Sequence, residues 1–238
     1  MLDIYSFFMH FEKGSAVLNL SVFYQDEYLL VCEKPVGVSS ESPGLPELAS
    51  SQTGYNCFPV HRLDQGTGGV CVLAFSSDIC ARMQNLFRQE KVKKEYCAVV
   101  AGRPDASSGL YEDFLFHDRK SNKTFVVKRQ RAGVKKAVCE WTLLSTVFFV
   151  NQPLSLVRVS LHTGRTHQIR IQFGSRGYPL VGDRKYGSRM KADTPSLWAS
   201  SISFPHPCDP GRLIEASSSP KSAFPWNLFP EKIYGRDI

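Results

Sequence analysis

No run of apolar residues in this chain approaches the ~18–20 needed to cross a bilayer as a helix, so no transmembrane span is expected. The first residues, MLDIYSFFMHFEKGS, lack a basic stretch ahead of their apolar positions and carry Asp3 early. That pattern does not fit a secretory signal, and a cytoplasmic location is expected. No C-x-x-C pair occurs, and the seven cysteines (Cys32, Cys57, Cys71, Cys80, Cys97, Cys139, Cys208) are odd in number and scattered. This excludes a disulfide framework and a structural zinc site as organising elements; reduced, half-buried or buried thiols filling core space are expected instead. Internal repeats and low-complexity tracts are also missing.

Acidic residues are absent from one stretch in particular. Between Arg119 and Lys136 there are eight basic side chains and no Asp or Glu, in a chain of 238 residues with a formal net charge of +7. Further basic residues gather at Arg88, Lys91, Lys93 and Lys94, and again from Arg165 to Lys191. Such clustering suits a polyanionic partner, nucleic acid first among them. Charge alone does not separate that reading from a solvated basic surface.

What is present reads as one large domain with an ordinary hydrophobic fraction of 42%. The segment SVFYQDEYLLVCEKPVG reads as two strands about a turn at residues 25–27. Residues 39–56, rich in Ser, Gly and Pro, read as a loop. Residues 69–75 (GVCVLAF) form an apolar run of strand length. A helix is expected next, capped by Ser76, Ser77 or Asp78, with Ile79, Met83, Leu86 and Phe87 on one face. KKEYCAVVAG alternates as a strand, with Tyr96, Ala98 and Val100 on one side. AVCEWTL and SLVRVSL alternate in the same way, as antiparallel strands do when one face is buried. A helix is expected in THQIRIQFGSRG, and turns and short strands after it. The class is α+β: a mixed, mostly antiparallel sheet flanked by helices. Residues 1–19 are expected to form an extension and residues 20–238 a single domain.

The stretch HRLDQGTGGV, residues 61–70, contains three glycines and suggests a phosphate loop. Phosphate loops place their glycines after a strand and ahead of a helix N-terminus. Here Gly66, Gly68 and Gly69 precede the strand, and no Lys-Ser or Lys-Thr follows. The glycines are better read as bending the chain, leaving Asp64 on a loop at a strand end, where reactive groups are often held. Taken alone, such an Asp is more often the residue of an Asx-turn or a cap than a nucleophile. His162 and His167 lack the helical spacing of a metal pair, and His206 reads as structural.

Three blocks in order, HRLDQGTGG, KKEYCAVVAG and LHTGRTHQIRIQFGSRGYPLVGDRKYG, resemble the RluA-type pseudouridine synthases. YQDEYLLVCEKPVGV and SISFPHP extend the resemblance over about residues 20–226. It implies the pseudouridine synthase fold with a central cleft and isomerisation of uridines in ribosomal or transfer RNA, with neither cofactor nor metal. It further implies that Asp64 is the catalytic residue, that Tyr96 lies against the target base, and that Arg165 pairs with Asp64. Arg62 is implied in pushing the base out of its stack, and His61, Thr67, Lys94, His167, Gln168 and Arg170 in contacting RNA. Extrusion is needed because the reacting atoms are inaccessible in a stacked helix. An aromatic face can then hold the freed base, and a guanidinium fork can orient a carboxylate.

The chain departs from the family pattern in two places. Gly68 stands where the family has Ser, and Trp198 stands in place of the His of Leu-His-Ala. Many relatives carry a small N-terminal RNA-binding domain, which residues 1–19 are too few to form; the chain is expected to act as a monomer on RNA. The alternative is a catalytically weakened member of the family that binds or folds RNA.

Overall fold

The computed structural model describes residues 19–230 and 233–234; the expected extension lies, but for Asn19, outside the described residues. The elements run β1 (Val22–Gln25), β2 (Leu29–Lys34), α1 (Leu45–Thr53), β3 (Phe58–Pro59), β4 (Gly68–Ala74), α2 (Ser77–Arg88), β5 (Lys93–Ala101), β6 (Ser108–Asp118), β7 (Lys123–Val127), β8 (Val134–Phe149), β9 (Gln152–Leu161), α3 (Gln168–Gly174), β10 (Leu197–Pro205) and β11 (Leu213–Ser217). The described strands join in one sheet, ordered β1-β2-β4-β10-β5-β9-β8-β6-β7, with β11 added to β10 and β3 to β4. Of these pairings only β4 with β10 is parallel.

That parallel contact lies at the middle of the sheet and aligns the candidate residues. Ala199 of β10 is opposite Gly69 of β4 on one side and Tyr96 of β5 on the other. The loop carrying Asp64 and the strand carrying Tyr96 are therefore one strand apart. The expected alternation holds: Tyr96, Ala98 and Val100 enter one core cluster, while Cys97 and Val99 enter another on the opposite face.

Helix α2 begins at one of the expected caps, the Ser76 hydroxyl accepting the Ile79 N–H. It covers the face formed by Val70, Val72 and Ala74. The short α3 lies on the other face, with every side chain from Gln168 to Phe173 buried. Phe173 anchors it edge-on to Tyr111 and Trp141, with ring centroids 5.1 and 5.9 Å away. Each such pair contributes ~0.5–1.5 kcal/mol beyond the area it buries.

One expectation about local structure needs correction. Residues 39–56 are not all loop, because 45–53 form α1. Pro46 sits in its first turn, the Glu47 carboxylate accepts the Gly44 N–H at 2.6 Å, and Gly54 closes it in a left-handed conformation. These are ordinary start and stop signals, masked by a Ser-rich composition. Beyond residue 107 the chain forms a long antiparallel ribbon, β6 and β7 with the first half of β8. Five of the seven cysteines are buried, Cys80 is half-buried and Cys208 exposed, all as free thiols.

Candidate active site

The loop between β3 and β4 is fastened before it reaches Asp64. Ser40 both donates to the Leu63 carbonyl (3.0 Å) and accepts the Leu63 N–H (2.9 Å). One residue past Asp64, Gln65 exchanges hydrogen bonds with Gly37, each at 2.9 Å. Beneath them Lys34, fully buried, donates to the carbonyls of Pro35, Val38 and Gln65 at 2.9, 2.7 and 3.4 Å. Burial lowers its pKa to about 8, offset in part by the nearby Cys71 and Asp64. Asp64 then starts a turn closed by the Thr67 N–H on its own carbonyl at 2.8 Å.

The glycines of this stretch have packing reasons. A side chain at Gly69, whose φ is +113°, would collide with the Ala199 carbonyl. At Gly68 a Cβ would collide with the Trp198 ring. The two departures from the family pattern thus face each other across the parallel contact, the indole occupying the space a side chain at 68 would take. Trp198 Nε1 is satisfied by the Ser218 carbonyl at 3.2 Å.

Asp64 opens onto a cavity of about 110 Å³ lined by Arg62, Thr67, Tyr96, Arg165, His167 and Arg170, among others. Its carboxylate accepts from Arg170 Nη1 at 2.9 Å. Arg170 is buried and gives its Nε and Nη2 to Asp183 at 2.6 and 2.9 Å. Burial alone would weaken its charge, but the bonds to Asp183 and the proximity of Asp64 raise its pKa instead. A guanidinium is suited to this double duty because its donors lie in one plane.

The expected pairing of Arg165 with Asp64 is not found. Arg165 precedes α3, and its Nε donates to the Lys136 carbonyl at 3.0 Å. It lines the Asp64 cavity and also a larger neighbouring groove of about 870 Å³, shared with Arg62, His117, Arg119 and Lys135. The Asp64 partner lies one helical turn further on, where the helix phase turns residues 167 and 170 towards the pocket.

Tyr96 is buried in the cavity wall, and burial, with Cys71 and Asp64 nearby, pushes its hydroxyl well above the ordinary phenol value. Thr67 is buried at the floor. Arg62 is exposed at the rim and meets Glu41 at 3.0 Å. His61 lines none of these cavities: its Nε2 accepts the Val72 N–H at 3.1 Å and its ring lies 5.1 Å from Phe87. Burial, aided by Lys94, lowers its pKa to about 4. Lys94 stacks over Phe87 at 5.6 Å. Gln168 spends its amide internally, accepting from Thr163 and the Arg165 N–H and donating to the Val138 carbonyl. The geometry gives His61 a bracing position away from these cavities, whereas Gln168, though bonded internally, also lines the Asp64 cavity. His206 is structural, as expected, bonded through Nε2 to Asp26 at 2.9 Å.

Sequence reasoning missed Lys34, Asp183 and Tyr186. A lysine closing a strand that opens on four apolar residues, in LLVCEK, is a signal that could have flagged the first.

A family model described as RNA pseudouridylate synthase matches residues 28–175, more than half of the chain. The chain is 32% identical over 200 residues to the dual-specificity RNA pseudouridine synthase RluA of Escherichia coli, covering 79% of this chain and 88% of the relative. It belongs to the RluA-type RNA pseudouridine synthases. A tRNA pseudouridine synthase C of Vibrio parahaemolyticus is 29% identical, with 85% of this chain and 92% of that relative covered. The fold agrees with the human RNA pseudouridylate synthase domain containing 1, at a TM-score of 0.76 and 22% identity over 90% of this chain and 88% of that one. As an RluA-type synthase the chain is an isomerase acting on RNA. No helix among its described residues is long and apolar enough to cross a membrane.

Proposed function

We propose that this synthase isomerises specific uridines in ribosomal RNA, in transfer-RNA stem-loops or in both, with Asp64 as the reacting carboxylate. The observation carrying this reading is Asp64 itself, half-buried beside Tyr96 and held 2.9 Å from a guanidinium that a second carboxylate fixes in place. In the reaction the bond from sugar to ring nitrogen breaks and a bond from sugar to ring carbon forms. The ring carbon loses its hydrogen to solvent as a proton, and the freed nitrogen takes one up. Atoms and charge balance without an added reactant.

Each side chain then has a task. Arg62 at the rim displaces the target base, at a cost of a few kcal/mol for unstacking. Tyr96, whose hydroxyl burial holds still further from ionisation, supplies an aromatic face for the base. Arg170 orients Asp64 through its charge-assisted hydrogen bond. Arg165, between the cavity and the groove, is suited to a phosphate of the flanking strand. The relative named for transfer RNA supports that substrate class, and the one named for dual specificity supports more than one RNA target.

The second reading, an RNA-binding protein with weakened catalysis, rests on the residues at 68 and 198. Their mutual packing weighs against it, since they leave the Asp64–Arg170 pair intact. Mapping pseudouridines in total RNA from cells with and without the gene tests the proposal. Loss of one or a few sites in ribosomal or transfer RNA is the expected result; identical maps would overturn it.

A further inference from the structure

The two α3-region side chains nearest Asp64 are His167 and Arg170, three residues apart. A turn at 183–186 braces both with the same spacing: Asp183 takes Arg170, and the Tyr186 hydroxyl meets His167 Nδ1 at 2.8 Å. The direction of that second contact follows from the protons available. The Thr124 N–H donates to the Tyr186 oxygen at 2.8 Å, so that oxygen already acts as an acceptor. Its proton is free for His167 Nδ1, and the carboxylate facing Nε2 favours that direction over the reverse. The opposite arrangement, Nδ1–H donating to the phenol, would leave the phenol proton without this acceptor and turn a ring lone pair on Nε2 towards a carboxylate.

In that arrangement the His167 ring, whose pKa burial lowers to about 4, carries its proton on Nε2. Nε2 lies 3.8 Å from Asp64 Oδ2, too long for a hydrogen bond and short enough to close on an oxygen arriving there. Charged groups around the ring are Asp64, Arg170, Lys185 and Asp183, with His117 edge-on at 6.1 Å. His167 also has φ of +55°, a left-handed backbone rare for a residue with a side chain. Such outliers persist where the surroundings hold them, often at functional sites.

We propose that Tyr186 is a positioning residue of the isomerisation, fixing His167 as an Nε2–H donor aimed at Asp64 and at the RNA oxygen that approaches it. This rests on Asp64 as the reacting carboxylate. The outer turn then fixes the two donors at Asp64 in different ways, one through a carboxylate and one through a tautomer, as second partners of functional histidines do elsewhere.

The test uses the full chain and RNA carrying ring-tritiated uridine from cells lacking the gene. Tyr186→Phe retains the ring and removes the hydroxyl. A fall in kcat of about three- to tenfold, the worth of one lost hydrogen bond between neutral groups, is expected with KM nearly unchanged. His167→Asn tolerates the left-handed backbone, and in that background Tyr186→Phe is expected to cost nothing more. Nitrogen-15 shifts of the wild-type ring are expected to report the Nε2–H form, lost in Tyr186→Phe. Wild-type kcat in Tyr186→Phe, losses that multiply in the double variant, or a wild-type ring protonated on Nδ1 would each overturn the proposal. If the wild-type protein releases no tritium, the Asp64 reading fails separately, and the ring shifts still decide the tautomer.

Discussion

At the scale of single residues, the question is which arginine serves Asp64. Arg170 reaches both Asp64 and Asp183, and only a planar fork can do so from one stem. Arg170→Lys is therefore expected to lower kcat by about 10- to 100-fold, the worth of one charge-assisted hydrogen bond. Steady-state kinetics on a mapped RNA substrate check this, with circular dichroism to verify the fold. Asp64 and Tyr96 were legible in the sequence because each sits in a motif of fixed position. The choice between Arg165 and Arg170 was not, because both lie in one motif, and it depends on where α3 begins. Moving the helix start by one or two residues would turn a different side chain to the pocket. Lys34 and Tyr186 escaped for a related reason: their roles arise from backbone carbonyls and ring nitrogens brought from distant segments.

At the scale of elements, the parallel contact between β4 and β10 is the least forgiving part of the fold. Gly68 and Trp198 share one volume there. Gly68→Ser is expected to destabilise the protein by about 1–3 kcal/mol through overpacking. Adding Trp198→His, which restores the family's pair, is expected to recover most of that loss. Urea denaturation of the two single variants and the double variant measures the coupling; strictly additive changes would show that the sites do not interact. Strands with clean alternation (β5, β8, β9) were readable because the period of two survives in the sequence. Helix α1 was not, since its Ser-rich face resembles a loop and its buried side is short.

At the scale of the whole molecule, the excess positive charge divides into two kinds. Arg170 and Arg176 are spent internally, the latter on Asp113 at 2.9 and 3.1 Å. Arg119 and Lys135 line the open groove beside the site. Sequence alone counts all of these equally. Salt titrations of RNA binding separate them: Arg119→Ala or Lys135→Ala is expected to reduce the slope of log affinity against log salt by about 0.7–0.9 for each phosphate left unneutralised. Arg176→Ala is expected to leave the slope unchanged while lowering the melting temperature. The fold, the groove and the buried ion pairs converge on Asp64, and the most direct measurement is tritium release from ring-labelled uridine RNA by wild type and by Asp64→Asn. Release by wild type, with none from a variant that folds normally and binds the RNA, is the result this account predicts. Release by Asp64→Asn at the wild-type rate would contradict it.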